Sequence, residues 1–195
     1  MGKKIVIVGG VAGGATAAAR LRRLDESAEI IVLERTGFVS YANCGLPYYV
    51  GGVIPEKSSL TLQSPESFRI RFNIDVRVLS EVTAIDRESK TVAVRNLATG
   101  EEYSLPYDKL ILSPGAKAMV PDTPGVHSKR VLKLRTVEDA LEMRRIVEEE
   151  KPERAVVVGG GFIGLEAAEN LMEAGVKVTL LQRSEQVPGH VLKEG

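Results

Sequence analysis

The sequence carries one cysteine, Cys44, in 195 residues. A single thiol excludes an intramolecular disulfide framework and a thiolate zinc cluster. Histidine is nearly as scarce, and the well-separated His127 and His190 supply no metal pair. There is no apolar run of about 18 residues, so no membrane-spanning helix is expected. The opening Met1-Gly2-Lys3-Lys4 runs straight into a strand-like stretch rather than into a signal peptide. Net charge is missing too, because Lys+Arg and Asp+Glu both number 26. That balance argues against nucleic acid or an anionic membrane as partner. An unpaired cysteine without an export signal points to a reducing, cytoplasmic compartment. The rest, 44% hydrophobic and 27% charged, has the balance of an ordinary globular protein of one or two domains.

An internal repeat organises the chain. The stretch Lys3–Arg35 and the stretch Arg154–Arg183 share one layout: an apolar run, a glycine cluster, an Ala/Leu-rich helical segment and a second apolar run. Short continuous runs such as Ile5–Val8 and Val156–Val158 suit strands buried on both faces of a parallel sheet. Ala15–Leu24 has high helix propensity. Each copy therefore reads as a right-handed βαβ unit. Between the copies, Val76–Val78, Glu81–Asp86 and Thr91–Arg95 alternate like strands of an antiparallel meander, with a turn over Asn96–Gly100. Ala140–Glu150 reads as a charged helix and Lys151-Pro152-Glu153 as a hinge. The predicted fold is α/β: a Rossmann-like parallel sheet with an antiparallel insertion over residues 1–150, then the start of a second Rossmann-like unit over 151–195.

The glycine clusters are the first chemical signal. Gly159-Gly160-Gly161-Phe162-Ile163-Gly164 completes G-x-G-x-x-G after a strand and before a helix. Its first glycine permits a tight turn, its second lets the backbone approach a pyrophosphate, and its third lets helix and strand pack closely. The helix start then offers unpaired N–H groups to the phosphates. Gly9-Gly10-Val11-Ala12-Gly13-Gly14 departs from the pattern, with Val11 in the place of the second glycine. At the end of the second strand Glu34, followed by Arg35, offers a carboxylate to ribose hydroxyls. The matching residue in the second copy is Gln182, followed by Arg183. An amide repels a 2′-phosphate less than a carboxylate does, so NADPH, NADH or both remain open. Two dinucleotide units in one chain suggest a bound flavin and a diffusing nicotinamide.

Cys44 lies in FVSYANCGLPYYVGG, which starts at Phe38. A lone cysteine is commonly a small buried hydrophobe. Against that, the segment is punctuated by Gly and Pro, and Ser40 and Asn43 supply hydrogen-bonding side chains. Thiols at helix starts are among the reactive ones. The residues alone leave both readings open.

Four stretches together resemble a known family: IVIVGGVAGGATAAARLRRL from Ile5, FVSYANCGLPYYVGG from Phe38, YDKLILSPGAKAMVP from Tyr107 and VVVGGGFIGLEAAENL from Val156. The family is the pyridine nucleotide–disulfide oxidoreductases. The resemblance is closest to its single-cysteine branch of CoA-disulfide reductases, NAD(P)H persulfide reductases and NADH oxidases, where the Val11 departure is usual. The resemblance implies FAD as cofactor, NAD(P)H as co-substrate, a small thiol or disulfide such as CoA disulfide as substrate, and Cys44 as the redox cysteine. It implies FAD at Gly9, Gly10, Val11, Ala12, Gly13, Gly14, Glu34 and Arg35, with Val82 beside the adenine and Ser113, Pro114 and Gly115 closing over the cofactor. It implies NAD(P)H at Gly159, Gly161, Ile163, Gly164 and Glu166, with Gln182 where the family usually has Glu. Ser40 and Asn43 are implied near the thiol substrate, and Arg20 and Arg23 near CoA phosphates. The family's Gly-Asp pair is absent from the sequence. So is its interface domain, through which two subunits pair. The expectation is therefore a truncated chain of a homodimeric enzyme. An NADH oxidase using a cysteine sulfenate, or a non-catalytic nucleotide-binding fragment, are the alternatives.

Overall fold

A computed structural model describes residues 2–183. In chain order the first elements are β1 (Lys4–Val8), α1 (Ala12–Leu24), β2 (Glu29–Leu33), α2 (Leu46–Val50), α3 (Pro65–Phe72), β3 (Asp75–Arg77) and β4 (Ser80–Asp86). There follow β5 (Thr91–Asn96), β6 (Glu102–Pro106), β7 (Lys109–Leu112), α4 (Val137–Arg145), β8 (Arg154–Val158), α5 (Phe162–Glu173) and β9 (Lys177–Leu181). Contacts divide the described residues into two compact units, 2–41 with 61–116 and 42–60 with 117–183.

The first unit is built on a four-stranded parallel sheet in the order β3-β2-β1-β7. Its two central strands, β1 and β2, are nearly continuous apolar runs because both faces are covered. Ile5, Ile7, Ile30 and Val32 face one core with Ala15 and Ala18 of α1, Phe68 and Ile74. The intervening residues Val6, Ile31 and Leu33 face the other core with Val92, Val94 and Leu105 of the meander. The period-two alternation of strand side chains thus feeds two cores from one run. The predicted parallel sheet and antiparallel insertion are both present.

One strand differs from expectation. Val76–Val78 was predicted within the meander, yet β3 pairs parallel with β2. Leu79, at φ 51, turns the chain sharply between β3 and β4, so the antiparallel ladder begins only at Ser80. The register shifts between Val82 and Ala84, leaving a bulge at Thr83.

Arg22 ties this unit together. Its Nε donates to the Phe72 carbonyl at 2.7 Å and its Nη2 to the Asn73 carbonyl at 2.8 Å. Its Nη1 reaches the Glu26 carbonyl at 2.7 Å. The guanidinium therefore satisfies carbonyls at the C-terminal ends of α1 and α3 together.

In the second unit β8 and β9 form a two-stranded parallel sheet. The predicted charged helix begins earlier, at Val137, and continues as a π-helical turn over Ile146–Glu150 that ends at Lys151, φ 47. The Val156–Val158 run was predicted to be buried on both faces. Instead Val156 is 60% and Val158 79% exposed. Among the described residues α5 covers one face of β8 and β9, so alternate side chains of β8 are exposed.

α3 and α4 each start with a capping box, at Ser64/Ser67 and Thr136/Asp139. Replacing Thr136 by Ala removes the hydroxyl that accepts from the Asp139 amide. The expected loss is about 1 kcal/mol of stability, read as a lower urea midpoint at unchanged m-value.

Candidate functional site

Both glycine clusters lie where a strand hands over to a helix, and their local geometry is nearly the same. Gly9 adopts φ 93 and Gly159 φ 105, conformations that favour glycine. The Gly9 amide donates to the Leu33 carbonyl at 2.8 Å, and the Gly159 amide donates to the Leu181 carbonyl at 2.8 Å. A methyl group on Gly14 would run into the Gly9 carbonyl, and one on Gly164 into the Gly159 carbonyl. Each third glycine is thus the point where the helix backbone lies against the turn. Gly161 is open, with nothing within 4 Å of an added methyl. A methyl group added on Gly13 would meet the Ser113 hydroxyl at 3.2 Å. Ser113 extends the sheet by donating to the Val8 carbonyl at 2.8 Å, and Gly115 then turns at φ 67. Ser113, Pro114 and Gly115 therefore leave the sheet right beside the first glycine loop.

The helices that follow these loops are treated differently from α3 and α4. α1 begins after Val11 and α5 after Gly161, and neither has a side-chain cap or an acidic residue in its first turn. The leading N–H groups of Ala12, Gly13 and Gly14, and of Phe162, Ile163 and Gly164, lack the hydroxyl partner that caps α3 and α4. Unpaired amides and the positive end of the helix dipole make each of these starts a place for an anion.

Glu34 is buried, at 6% exposure, and its carboxylate faces the first loop. Oε2 accepts from the Gly10 amide at 2.7 Å. Oε1 accepts from the Thr36 amide at 2.8 Å and the Thr36 hydroxyl at 2.9 Å. A carboxylate has about four acceptor positions. Three are filled from within the chain, which leaves room on Oε2 for one more donor. Sequence reading missed Thr36; a Thr two residues after a strand-end acid is the local signal for this bond. Arg35 is exposed and approaches Glu81 at 3.7 Å. The Glu34 main chain also joins β3 and β4, since its amide donates to Arg77 and its carbonyl accepts from Ser80. Val82, at the bulge, packs on the meander-side core. The structure thus gathers Gly9–Gly14, Glu34, Arg35 and Ser113–Gly115 around the C-terminal ends of β1, β2 and β7. This is where a doubly wound sheet reverses its strand order and takes ligands.

In the second unit Gln182 takes the place of Glu34. Its Oε1 accepts from the Gly160 amide at 2.8 Å. A backbone N–H can only donate, so this contact fixes which side of the amide is the oxygen. Glu166 lies half-buried in the second turn of α5, and Ile163 is exposed in the first.

Ser40 sits at φ 49, a left-handed conformation that costs a non-glycine residue roughly 1–2 kcal/mol. Its amide donates to the Gly10 carbonyl and its carbonyl accepts from Leu62, both under 3 Å. Cys44 belongs to the second unit, on a 3₁₀ turn over Asn43–Gly45 that leads into α2, and it is exposed. The neighbouring Asn43 Oδ1 is buried with no hydrogen-bond partner among the described residues. Arg20 and Arg23 are exposed on α1. Two clefts, of about 500 and 430 Å³, lie elsewhere, one along Val50–Gly52 and Lys151–Glu153, the other between Arg22, Arg69 and Asp75. Neither is lined by a residue of the two glycine loops.

Single methyl groups separate the roles of the glycines. Gly14→Ala and Gly164→Ala should each destabilise by about 1–3 kcal/mol through overpacking. Gly161→Ala should cost at most a few tenths of that in a urea titration, because its site is open.

The sequence profile of the pyridine nucleotide-disulphide oxidoreductase family matches residues 3–194. The coenzyme A disulfide reductase of Staphylococcus haemolyticus is 42% identical over 185 residues, which is 95% of this chain and 41% of that protein. The crystal structure of reduced CoADR-RHD from Bacillus anthracis superposes with a TM-score of 0.93 at 53% identity, over 96% of this chain and 34% of that one. An NAD-dependent persulfide reductase from A. fulgidus gives a TM-score of 0.89 at 40% identity, over 94% of this chain and 34% of that one. The chain therefore spans well under half the length of the relatives it matches. With two glycine-opened βαβ units in place and a profile match along nearly its whole length, the chain belongs to the pyridine nucleotide-disulphide oxidoreductase family.

Proposed function

We propose that this chain is the FAD- and nicotinamide-binding part of an NAD(P)H-dependent disulfide reductase that works through Cys44, with CoA disulfide or a persulfide as substrate. The observation that carries the proposal is an exposed lone thiol in a chain with two uncapped, glycine-opened helices. The residues present fit FAD. The Gly9–Gly14 cradle would be filled by added methyl groups, and the buried Glu34 carboxylate keeps one acceptor position open.

In this reading the α1 amides hold the FAD pyrophosphate, and Glu34 accepts from a ribose hydroxyl. Arg35 flanks it, the Val82 backbone meets the adenine, and Ser113-Pro114-Gly115 closes over the cofactor. The α5 amides, Ile163 and Glu166 receive NAD(P)H. FAD supplies a two-electron relay between nicotinamide and sulfur. Cys44 supplies the sulfur chemistry. Its thiolate attacks one sulfur of the disulfide, the S–S bond breaks, and one thiol leaves while the other stays on Cys44 as a mixed disulfide. Two electrons from NAD(P)H then release the second thiol. The sum is NAD(P)H, a proton and a disulfide giving NAD(P)⁺ and two thiols. With a single cysteine in these 195 residues, the oxidised state at Cys44 cannot be a disulfide formed within this stretch. Ser40 and Asn43 orient the thiol substrate, and Arg20 and Arg23 meet CoA phosphates. We further assign the whole protein to a cytoplasmic homodimer with no nucleic-acid partner.

Cys44→Ser, in the protein that carries this chain, should keep its flavin and lose disulfide reduction. CoA disulfide turnover at the parent rate would overturn the assignment. Gln182→Glu places a negative charge at the ribose end of the second site. Discrimination against NADPH relative to NADH should rise about ten-fold, the ratio given by 1.4 kcal/mol, measured as the ratio of kcat/KM values.

A further inference from the structure

The turn that carries Cys44 is not self-supporting. α2 is five residues long, far shorter than a helix that persists alone. The turn also buries the unpartnered Asn43 Oδ1, an arrangement with a desolvation cost that its surroundings must hold in place. Leu46 donates to the Asn43 carbonyl, so the turn and α2 are one continuous piece.

The far end of that piece is gripped by a residue distant in sequence. Arg144 Nη1 donates to the Tyr49 carbonyl at 2.9 Å and to the Ile54 carbonyl at 2.8 Å. Its guanidinium lies 4.7 Å from the centre of the Tyr49 ring. Its Nε donates to Glu148 at 2.6 Å, and its side chain is only 16% exposed. Charged donors on carbonyls are among the stronger hydrogen bonds, and a cation at a helix C-terminus is favourable. Just past α2, Gly51 lies against Asn170 of α5, where an added methyl would come within 2.5 Å of the Asn170 carbonyl oxygen.

Resting on the reading of Cys44 given above, we propose that Arg144 is a positioning residue that fixes the Cys44 turn by clamping the C-terminal end of α2. It does not touch the substrate. It sets where the sulfur stands.

Within these 195 residues Cys44 is the sole thiol, so a nitroxide label in this stretch attaches at one place. Electron spin resonance should show a mobile label in Arg144→Met and a parent-like label in Arg144→Lys, whose ammonium can still donate to both carbonyls. Arg22→Met, which strips carbonyl partners in the other unit, should leave the label as in the parent. In the flavin-loaded protein Arg144→Met should lower kcat for disulfide reduction roughly ten- to a hundred-fold, the cost of an ångström-scale misplacement, with KM for NAD(P)H unchanged. The long-wavelength thiolate–flavin absorbance should weaken in parallel. Parent-like label mobility and parent kcat in Arg144→Met would overturn the proposal. If that variant does not fold, Tyr49→Leu removes the stacking face and should mobilise the label in the same direction; an unchanged label would again overturn it. Disulfide turnover surviving in Cys44→Ser would defeat the cysteine assignment instead, while the label would still report on the clamp.

Discussion

Everything at the two strand ends depends on one close approach, the backbone of a helix lying against the carbonyl of the turn that precedes it. At Gly14 and Gly164 there is no space for even a methyl group. That contact seats α1 on β1 and α5 on β8. It also points the leading amides of each helix out of the end of the sheet. A side chain at either position would push the helix away and re-aim its amides. The positive φ of Gly9 and Gly159 is the other half of the same device, since it reverses the chain within one residue.

A second tie stabilises each loop, and here the two copies differ. The residue ending the second strand reaches back to the amide after the first glycine, through a carboxylate at Glu34 and an amide at Gln182. The geometry is conserved within the molecule and the charge is not. Glu34 is buried and satisfied by three donors, whereas Gln182 is exposed. The first loop is therefore backed by a buried carboxylate and the second by an exposed, uncharged amide.

The helix starts divide along the same line. Where a helix only builds the fold, as in α3 and α4, Ser64 or Thr136 caps it and satisfies its amides. Where a helix follows a glycine loop, no side chain does so. Leaving N–H groups without a side-chain partner sacrifices stability unless a ligand arrives. The molecule makes that sacrifice at both glycine loops.

Residue type was enough to locate the glycine turns, the helices they open, the two apolar runs of each repeat and the acid or amide at each strand end. These features arise from short-range sterics and period, which act within a few residues and are written in the local order of side chains. Tertiary structure alone decided the rest. It paired Asp75–Arg77 with β2 rather than with the meander and left Val156 and Val158 in solvent. It placed Ser40 in a left-handed turn against Gly10 and brought Arg144 onto the carbonyls of Tyr49 and Ile54. Those outcomes depend on where a distant part of the chain returns. A strand takes whichever neighbour reaches its edge first, and a carbonyl takes whichever donor the packing delivers, so neither can be read from the residues beside it.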